Sequence, residues 1–245
     1  MNPKDLALTI RRKVLRSVRR RGIAGTAWFF TYRSISLLLG RTPISQFDKR
    51  NGTDTTNEVK LHDLSVNSAN VKFGIPYTGT PAEVFEQFFR DAPIPHEAFT
   101  FVDFGSGKGR AVMLASNYPF RKIIGVEFAP ELIEIAKTNL SKYRDPAQKC
   151  TDIEFVCSDA TEYPLPADPM VFYFANPFVK DVMRTMVRRI EQSLRDFPRE
   201  AWVVYVNPVE LHMFENNPLL ERFECNVNIA VYRYLPPGIR TRMTQ

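Results

Sequence analysis

Phe99-Thr100-Phe101-Val102-Asp103-Phe104-Gly105-Ser106-Gly107-Lys108-Gly109-Arg110 decides the fold of this 245-residue chain. The first half is an apolar run of strand type, the second a glycine turn, and Ala111 to Asn117 continues as a helix. Three of the chain's eleven glycines, Gly105, Gly107 and Gly109, fall within five residues, where backbone without Cβ can pass close to a ligand. The N–H groups at the start of the following helix are expected to face that ligand.

Spacing excludes two ligand classes. A dinucleotide fingerprint needs G-x-G-x-x-G, and Arg110 takes the last glycine's place; a phosphate loop needs Gly-Lys-Ser/Thr, and Gly109 follows Lys108. Asp103, two residues ahead of Gly105, would repel a pyrophosphate and attract an ammonium or sulfonium.

Further units follow in order. Lys122-Ile123-Ile124-Gly125-Val126-Glu127 reads as a second strand, and Pro130 opens a helix carrying Leu132, Ile135, Ala136 and Leu140. Glu127 lies 24 residues beyond Asp103, where an acid can bridge the vicinal hydroxyls of a ribose. Ile153 to Cys157 is a third strand closed by Ser158-Asp159-Ala160, with Asp159 placed to accept from an exocyclic amino group. Met170 to Ala175 is a fourth, ending in Asn176-Pro177-Phe178 ahead of an amphipathic helix from Val179 to Leu194. Ligands of such sheets bind beyond the C-terminal strand ends, so Asn176, Pro177 and Phe178 are expected to face the reacting group. Ala201 to Val206 is a fifth strand, and Cys225 to Tyr234 suits a final hairpin. Taken singly, Asp103 could cap a helix, Glu127 could be a solvated strand-end acid and Asp159 a turn former; their order and spacing favour a common site.

Together Val102-Asp103-Phe104-Gly105-Ser106-Gly107-Lys108-Gly109, Gly125-Val126-Glu127 and Ser158-Asp159-Ala160 resemble the class I S-adenosylmethionine (SAM)-dependent methyltransferases, over roughly Tyr77 to Tyr234. The resemblance implies an α/β fold with a doubly wound, seven-strand, mostly parallel sheet and a terminal antiparallel strand, to which this chain adds an N-terminal helical extension. It implies S-adenosyl-L-methionine as cofactor. Asp103, Gly105, Ser106, Gly107 and Gly109 would lie against its amino-acid part, Glu127 on the ribose and Asp159 on the adenine amino group.

Asn176-Pro177-Phe178 resembles the Asn-Pro-Pro-aromatic motif of amino-group methyltransferases, in which the asparagine and backbone carbonyls accept hydrogen bonds from the target nitrogen. The second proline is missing here. Upstream, Ile75-Pro76-Tyr77-Thr78 before a helical stretch from Pro81 to Arg90, with Phe47-Asp48 and Gly52-Thr53-Asp54-Thr55 in the expected lid, resembles bacterial methyltransferases of undefined substrate and, more distantly, seven-strand protein-lysine methyltransferases. By that resemblance Tyr77 and Thr78 close over the methionine end of the cofactor, and an aromatic such as Tyr77 or Phe178 faces the sulfonium or a substrate ammonium. The expected reaction is in-line methyl transfer to a nitrogen nucleophile, with protein lysine among the acceptors and a protein or small molecule favoured over nucleic acid.

Composition bounds the remainder. A hydrophobic content of 44% supports a packed core, and Pro 18 without any repeat excludes collagen-like and solenoid architectures. Cys150, Cys157 and Cys225 form no CxxC pair, and His62, His96 and His212 stand far apart, so a reduced, cytoplasmic setting without a structural metal is expected. The charge is asymmetric: residues 1–50 hold twelve Lys/Arg against Asp5 and Asp48, a net +10, which leaves −4 for the rest of a chain whose total is +6.

Three regions are therefore expected: a basic, partly amphipathic helical extension over 1–45, a lid or connector over 46–80, and the SAM-binding domain over 81–245. In the extension, Ala27 to Leu39 is apolar but interrupted by Arg33 and shorter than the ~20 residues of a bilayer span. This arm is expected to pack on the domain through Trp28, Phe29 and Leu37 to Leu39, with docking of residues 4–41 on an anionic membrane surface or RNA as the alternative. The rival functions are a catalytically inactive SAM-fold module that docks through that arm, and a nicotinamide dehydrogenase, which Arg110 and Asp103 both oppose.

Overall fold

The computed structural model describes residues 43–56, 80, 82–175, 177–215, 217–225 and 229–236. The basic arm over 4–41, Tyr77, Thr78 and Asn176 lie outside them. Backbone packing divides the chain into Met1–Gln46 and Phe47–Gln245, and the sheet and the site described below lie in the second unit.

A short helix α1 (Pro43–Asn51) precedes α2 (Ala82–Asp91) and a 3-10 turn at His96–Ala98. Strands and helices then alternate as β1 (Thr100–Phe104), α3 (Arg110–Ala115), β2 (Lys122–Glu127), α4 (Pro130–Lys142), β3 (Ile153–Cys157), β4 (Met170–Phe174), α5 (Lys180–Asp196) and β5 (Ala201–Val206). After α6 (His212–Glu215), β6 (Glu221–Cys225) and β7 (Ile229–Tyr234) form a hairpin. The sheet order is β3-β2-β1-β4-β5-β7-β6. β1 to β5 run parallel, and β7 inserts antiparallel between β5 and β6. This is the mostly parallel seven-strand sheet expected from the sequence. The antiparallel strand is last in the chain but second from the edge, because β6 crosses to the outside before the hairpin folds back.

Apolar runs without polar alternation mark strands covered on both faces, and β1, β4 and β5 are buried along their whole length. Alternation sorts their side chains between two cores. Val102, Phe104, Phe172, Phe174, Val203 and Tyr205 pack with α5 and α6, while Phe101, Val171, Tyr173, Trp202 and Val204 pack with α2 and α3. Helix α5 buries Val182, Met183, Met186, Val187, Ile190 and Leu194, each apolar side chain contributing about 1.5–3 kcal/mol. Its arginines stay on the outer face or, as Arg189, reach back to the loop after β3.

The same period of two fixes the site. Asp103 shares the α2/α3 face with Phe101; on β2 that face carries Ile123, Gly125 and Glu127. Asp103 pairs in register with Gly125 and with Tyr173, and Gly125 with Phe155. Two acids thus reach one face at the C-terminal ends of neighbouring strands. No described helix is long and apolar enough to cross a membrane.

Candidate functional site

The turn after β1 is built from three left-handed glycines, Gly105 (φ 81°), Gly107 (φ 51°) and Gly109 (φ 81°), a conformation that costs any other residue. At Gly105 and Gly109 the position where a Cβ would stand is filled by the protein itself. A Cβ on Gly105 would come within 2.4 Å of Pro177 Cβ, and one on Gly109 within 2.8 Å of the Phe155 ring. Gly125 is held by the same ring, which a Cβ there would meet at 2.7 Å. At Gly105 and Gly109 the missing side chain therefore serves internal packing as well as φ, where the sequence suggested close approach to a ligand.

Four backbone amides of the turn are occupied within the protein. Gly105 and Ser106 N–H donate to Val126 O at 2.8 and 3.0 Å, Gly109 N–H to Ser106 O at 2.9 Å, and Gly107 N–H to Glu127 Oε2 at 2.9 Å. Amides committed in this way cannot form the nest of free N–H groups that cradles a phosphate. The turn presents acid where a phosphate site would present donors.

That acid is Asp103 with Glu127. Asp103 is 2% exposed, and its Oδ1 is buried without a hydrogen-bond partner. Burial, and secondarily the nearby Glu127 carboxylate, push its pKa up to about 8. Glu127 Oε1 accepts from the Ala129 amide at 3.1 Å. Its pKa is raised by burial, against which hydrogen bonds from the Ala129, Gly107 and Phe128 amides act. Ser106 Oγ is a second buried polar atom of the turn without a partner. Two buried carboxylates and orphaned oxygens fit a cationic, hydroxyl-bearing ligand, since such atoms cost free energy until something donates to them. S-adenosylmethionine has ammonium and hydroxyl groups to donate to them, and its sulfonium adds a positive charge.

Asp159 follows β3 and is half-buried. Its Oδ1 accepts from the Thr161 amide at 2.8 Å and the Thr161 hydroxyl at 2.7 Å, so the carboxylate shapes its own turn. From α5, Arg189 donates to Ala160 O at 3.1 Å and Tyr163 O at 2.7 Å, tying that turn to the domain. Beyond β4, Pro177 lies on Gly105, and Phe178 is buried edge-on to Phe174 with centroids 6.4 Å apart. Tyr173 Oη donates to Thr80 Oγ1 at 3.3 Å, which sets the end of the connector beside β4.

The structure adds residues that spacing did not single out. Lys108 and Arg110, within and just after the glycine turn, are each 1% exposed. Lys108 pairs with Asp54 at 3.0 Å; Arg110 reaches Asp48, Thr55 and Thr56 and lies over the Phe47 ring, 4.7 Å from its centroid. Asn139 of α4 donates to both Asp54 O and Lys108 O at 3.0 Å and accepts from the Asp54 amide at 2.8 Å. The one signal for these contacts was two cations in a turn bound for the interior, which must find acids somewhere. Among the described residues no group of three or more His, Cys, Asp or Glu is arranged to hold a metal ion.

None of the curated proteins compared with this chain matches it. Among solved structures it is similar to an RNA methyltransferase from Salinibacter ruber in complex with S-adenosyl-L-homocysteine, at 19% identity over 65% of this chain and 94% of that one, with a TM-score of 0.44. It is also similar to a predicted N6-adenine-specific DNA methylase from Listeria monocytogenes, at 16% identity over 64% of this chain and 52% of that one, with a TM-score of 0.47. Residues 101–196, from β1 through α5, match the family model of a methyltransferase domain. With the sheet order and the acid-lined glycine turn, that match makes this region a class I S-adenosylmethionine-dependent methyltransferase domain.

Proposed function

We propose that the protein transfers the methyl group of S-adenosylmethionine to a nitrogen nucleophile presented at Asn176-Pro177-Phe178, with a protein lysine amine as the acceptor to test first. The observation that carries this reading is the contact of Pro177 with Gly105, which brings the loop after β4 onto the turn beside the Asp103 carboxyl. An acceptor held by the Asn176 side chain and the Pro177 carbonyl would then lie next to a cofactor held by the turn.

In this reading Asp103, Gly105, Ser106, Gly107 and Gly109 bind the amino-acid portion of the cofactor, Glu127 the ribose and Asp159 the adenine. Tyr77 and Thr78 close the methionine end, for which the anchoring of nearby Thr80 on Tyr173 is the support. The cofactor supplies an activated methyl on a positively charged sulfur. What this chain contributes is alignment: acceptors that fix an amine lone pair on the line of the carbon–sulfur bond at about 3–3.5 Å, in a site screened from water. Residues 1–45 would then be an appended basic arm, 46–80 the lid, and 81–245 the catalytic domain.

The test is to incubate purified protein and methyl-labelled SAM with lysate from a strain lacking the gene, then to sort the label into protein, nucleic acid and small molecules. Label on protein lysine, lost with Asp103→Ala, supports the proposal. Label on oxygen, carbon or sulfur acceptors, or none in any fraction, overturns it.

A further inference from the structure

The site assigned to a cationic ligand carries two cations of its own. Lys108 stands between Gly107 and Gly109, and Arg110 opens α3; both are buried. An uncompensated ammonium or guanidinium there would oppose a sulfonium, since charges interact strongly where water is scarce. Left alone, these cations would also be drawn to the acidic pair that the ligand needs.

Both reach one short segment, Phe47–Thr56. Lys108 Nζ lies 3.0 Å from Asp54 Oδ2. Arg110 Nε donates to Thr55 Oγ1 at 2.7 Å, and its Nη2 reaches Thr56 Oγ1 at 3.1 Å and Asp48 Oδ2 at 3.4 Å. The segment is itself organised to receive them. Asp48 Oδ1 accepts from Thr53 Oγ1 at 2.7 Å, from Thr55 Oγ1 at 2.6 Å and from the Thr55 amide at 2.9 Å, and Oδ2 accepts from the Thr56 hydroxyl. Asn139 fixes the Asp54 backbone at both its N–H and its carbonyl, so the Asp54 carboxylate is delivered to Lys108 from an anchored chain. A surface ion pair of this kind contributes little to stability when both ends are hydrated; here one end is buried, and removing its partner strands a cation beside the glycine turn.

We propose that Asp48 and Asp54 are positioning residues of the cofactor site, acting as counter-ions to Arg110 and Lys108 so that the glycine turn keeps two structural cations without repelling the cationic ligand beside it. This rests on the reading of the site as one for S-adenosylmethionine. Its distinctive consequence is selectivity for charge on the ligand: the segment favours the sulfonium cofactor over its neutral thioether product.

Calorimetry at low salt with S-adenosylmethionine and S-adenosylhomocysteine, on the full chain, tests it. Asp54→Asn keeps the shape and half-exposed setting of the side chain and is expected to weaken the sulfonium ligand about tenfold and the thioether less than about twofold. Adding Lys108→Met removes the stranded charge and is expected to restore the ratio of the two affinities. Asp48→Asn is expected to act in the same direction through Arg110, with thioether binding serving as its check on folding. If Asp54→Asn weakens both ligands by the same factor, or neither, or if Lys108→Met fails to restore the ratio, the segment is structural alone and the proposal is wrong. If the wild-type chain binds neither ligand, the cofactor assignment fails first and the charge compensation falls with it.

Discussion

Aspartates on the two sides of the glycine turn are in opposite states. On the sheet side, Asp103 is buried with an oxygen that nothing donates to, and burial raises its pKa to about 8. On the side of the Phe47–Thr56 segment, burial also pushes the Asp48 pKa upward, but hydrogen bonds from Thr55, Thr56 and Thr53 outweigh it and hold the group below its ordinary value. What separates them is the supply of donors. One acid has been left short of partners and is disposed to accept a ligand; the other has been given every partner it can use and serves the architecture.

The strongest way to break this contrast is on the saturated side. Arg110→Ala should cost about 3–5 kcal/mol in chemical denaturation, because it strands Asp48 and leaves a void over Phe47. A loss below about 1 kcal/mol would show that Asp48 does not depend on the guanidinium. Gly105→Ala attacks the turn between the two sides. A non-glycine residue at φ 81° with its Cβ at 2.4 Å from Pro177 should lose about 3 kcal/mol of stability, and SAM affinity should fall with it.

Asp103→Asn sharpens the contrast through pH. In the ligand-free fold Asp103 holds its proton up to about pH 8, whereas unfolded it releases it near 3.8. The folded pKa is raised, so this group's contribution to stability is complete below about 3.8 and is lost as pH climbs toward 8. Cation binding favours the ionised form, so SAM affinity should climb over the upper part of that range, by up to about tenfold per pH unit below 8. Asparagine at this position should flatten both profiles, read by thermal melts and by titration calorimetry across pH 6 to 9; unchanged slopes would show that another group titrates. The smallest effect belongs to a site on neither side: Lys137→Ala, which removes the exposed pair with Glu134, should shift stability by less than about 0.5 kcal/mol.

The sheet was legible because buried parallel strands read as continuous apolar runs, and Val102, Ile124 and Phe172 left little choice of register. Asp103 and Glu127 were legible because an acid that ends such a run must face the crevice. Gly105 and Gly109 were legible as turn formers but not in what fills their missing Cβ positions, since Pro177 and Phe155 arrive from the loop after β4 and from β3, well downstream. Asp48, Thr53, Asp54 and Thr55 were legible as part of a lid that resembles those of other methyltransferases, but not in what they bind. Their partners Lys108, Arg110 and Asn139 lie 54 to 85 residues away, and no local pattern encodes a contact of that span. Asp159 read equally well as turn former or ligand, and its hydrogen bonds to Thr161 give the first role a geometric basis.

Because Pro177 rests directly on Gly105, the loop after β4 and the glycine turn cannot move independently. An acceptor that displaces Pro177 on docking must alter how tightly the donor is held, and thermodynamic reciprocity requires the donor to alter acceptor affinity by an equal factor. If the proposed acceptor site is right, a single proline–glycine contact then governs the order in which the two molecules arrive and the ease with which the spent donor departs.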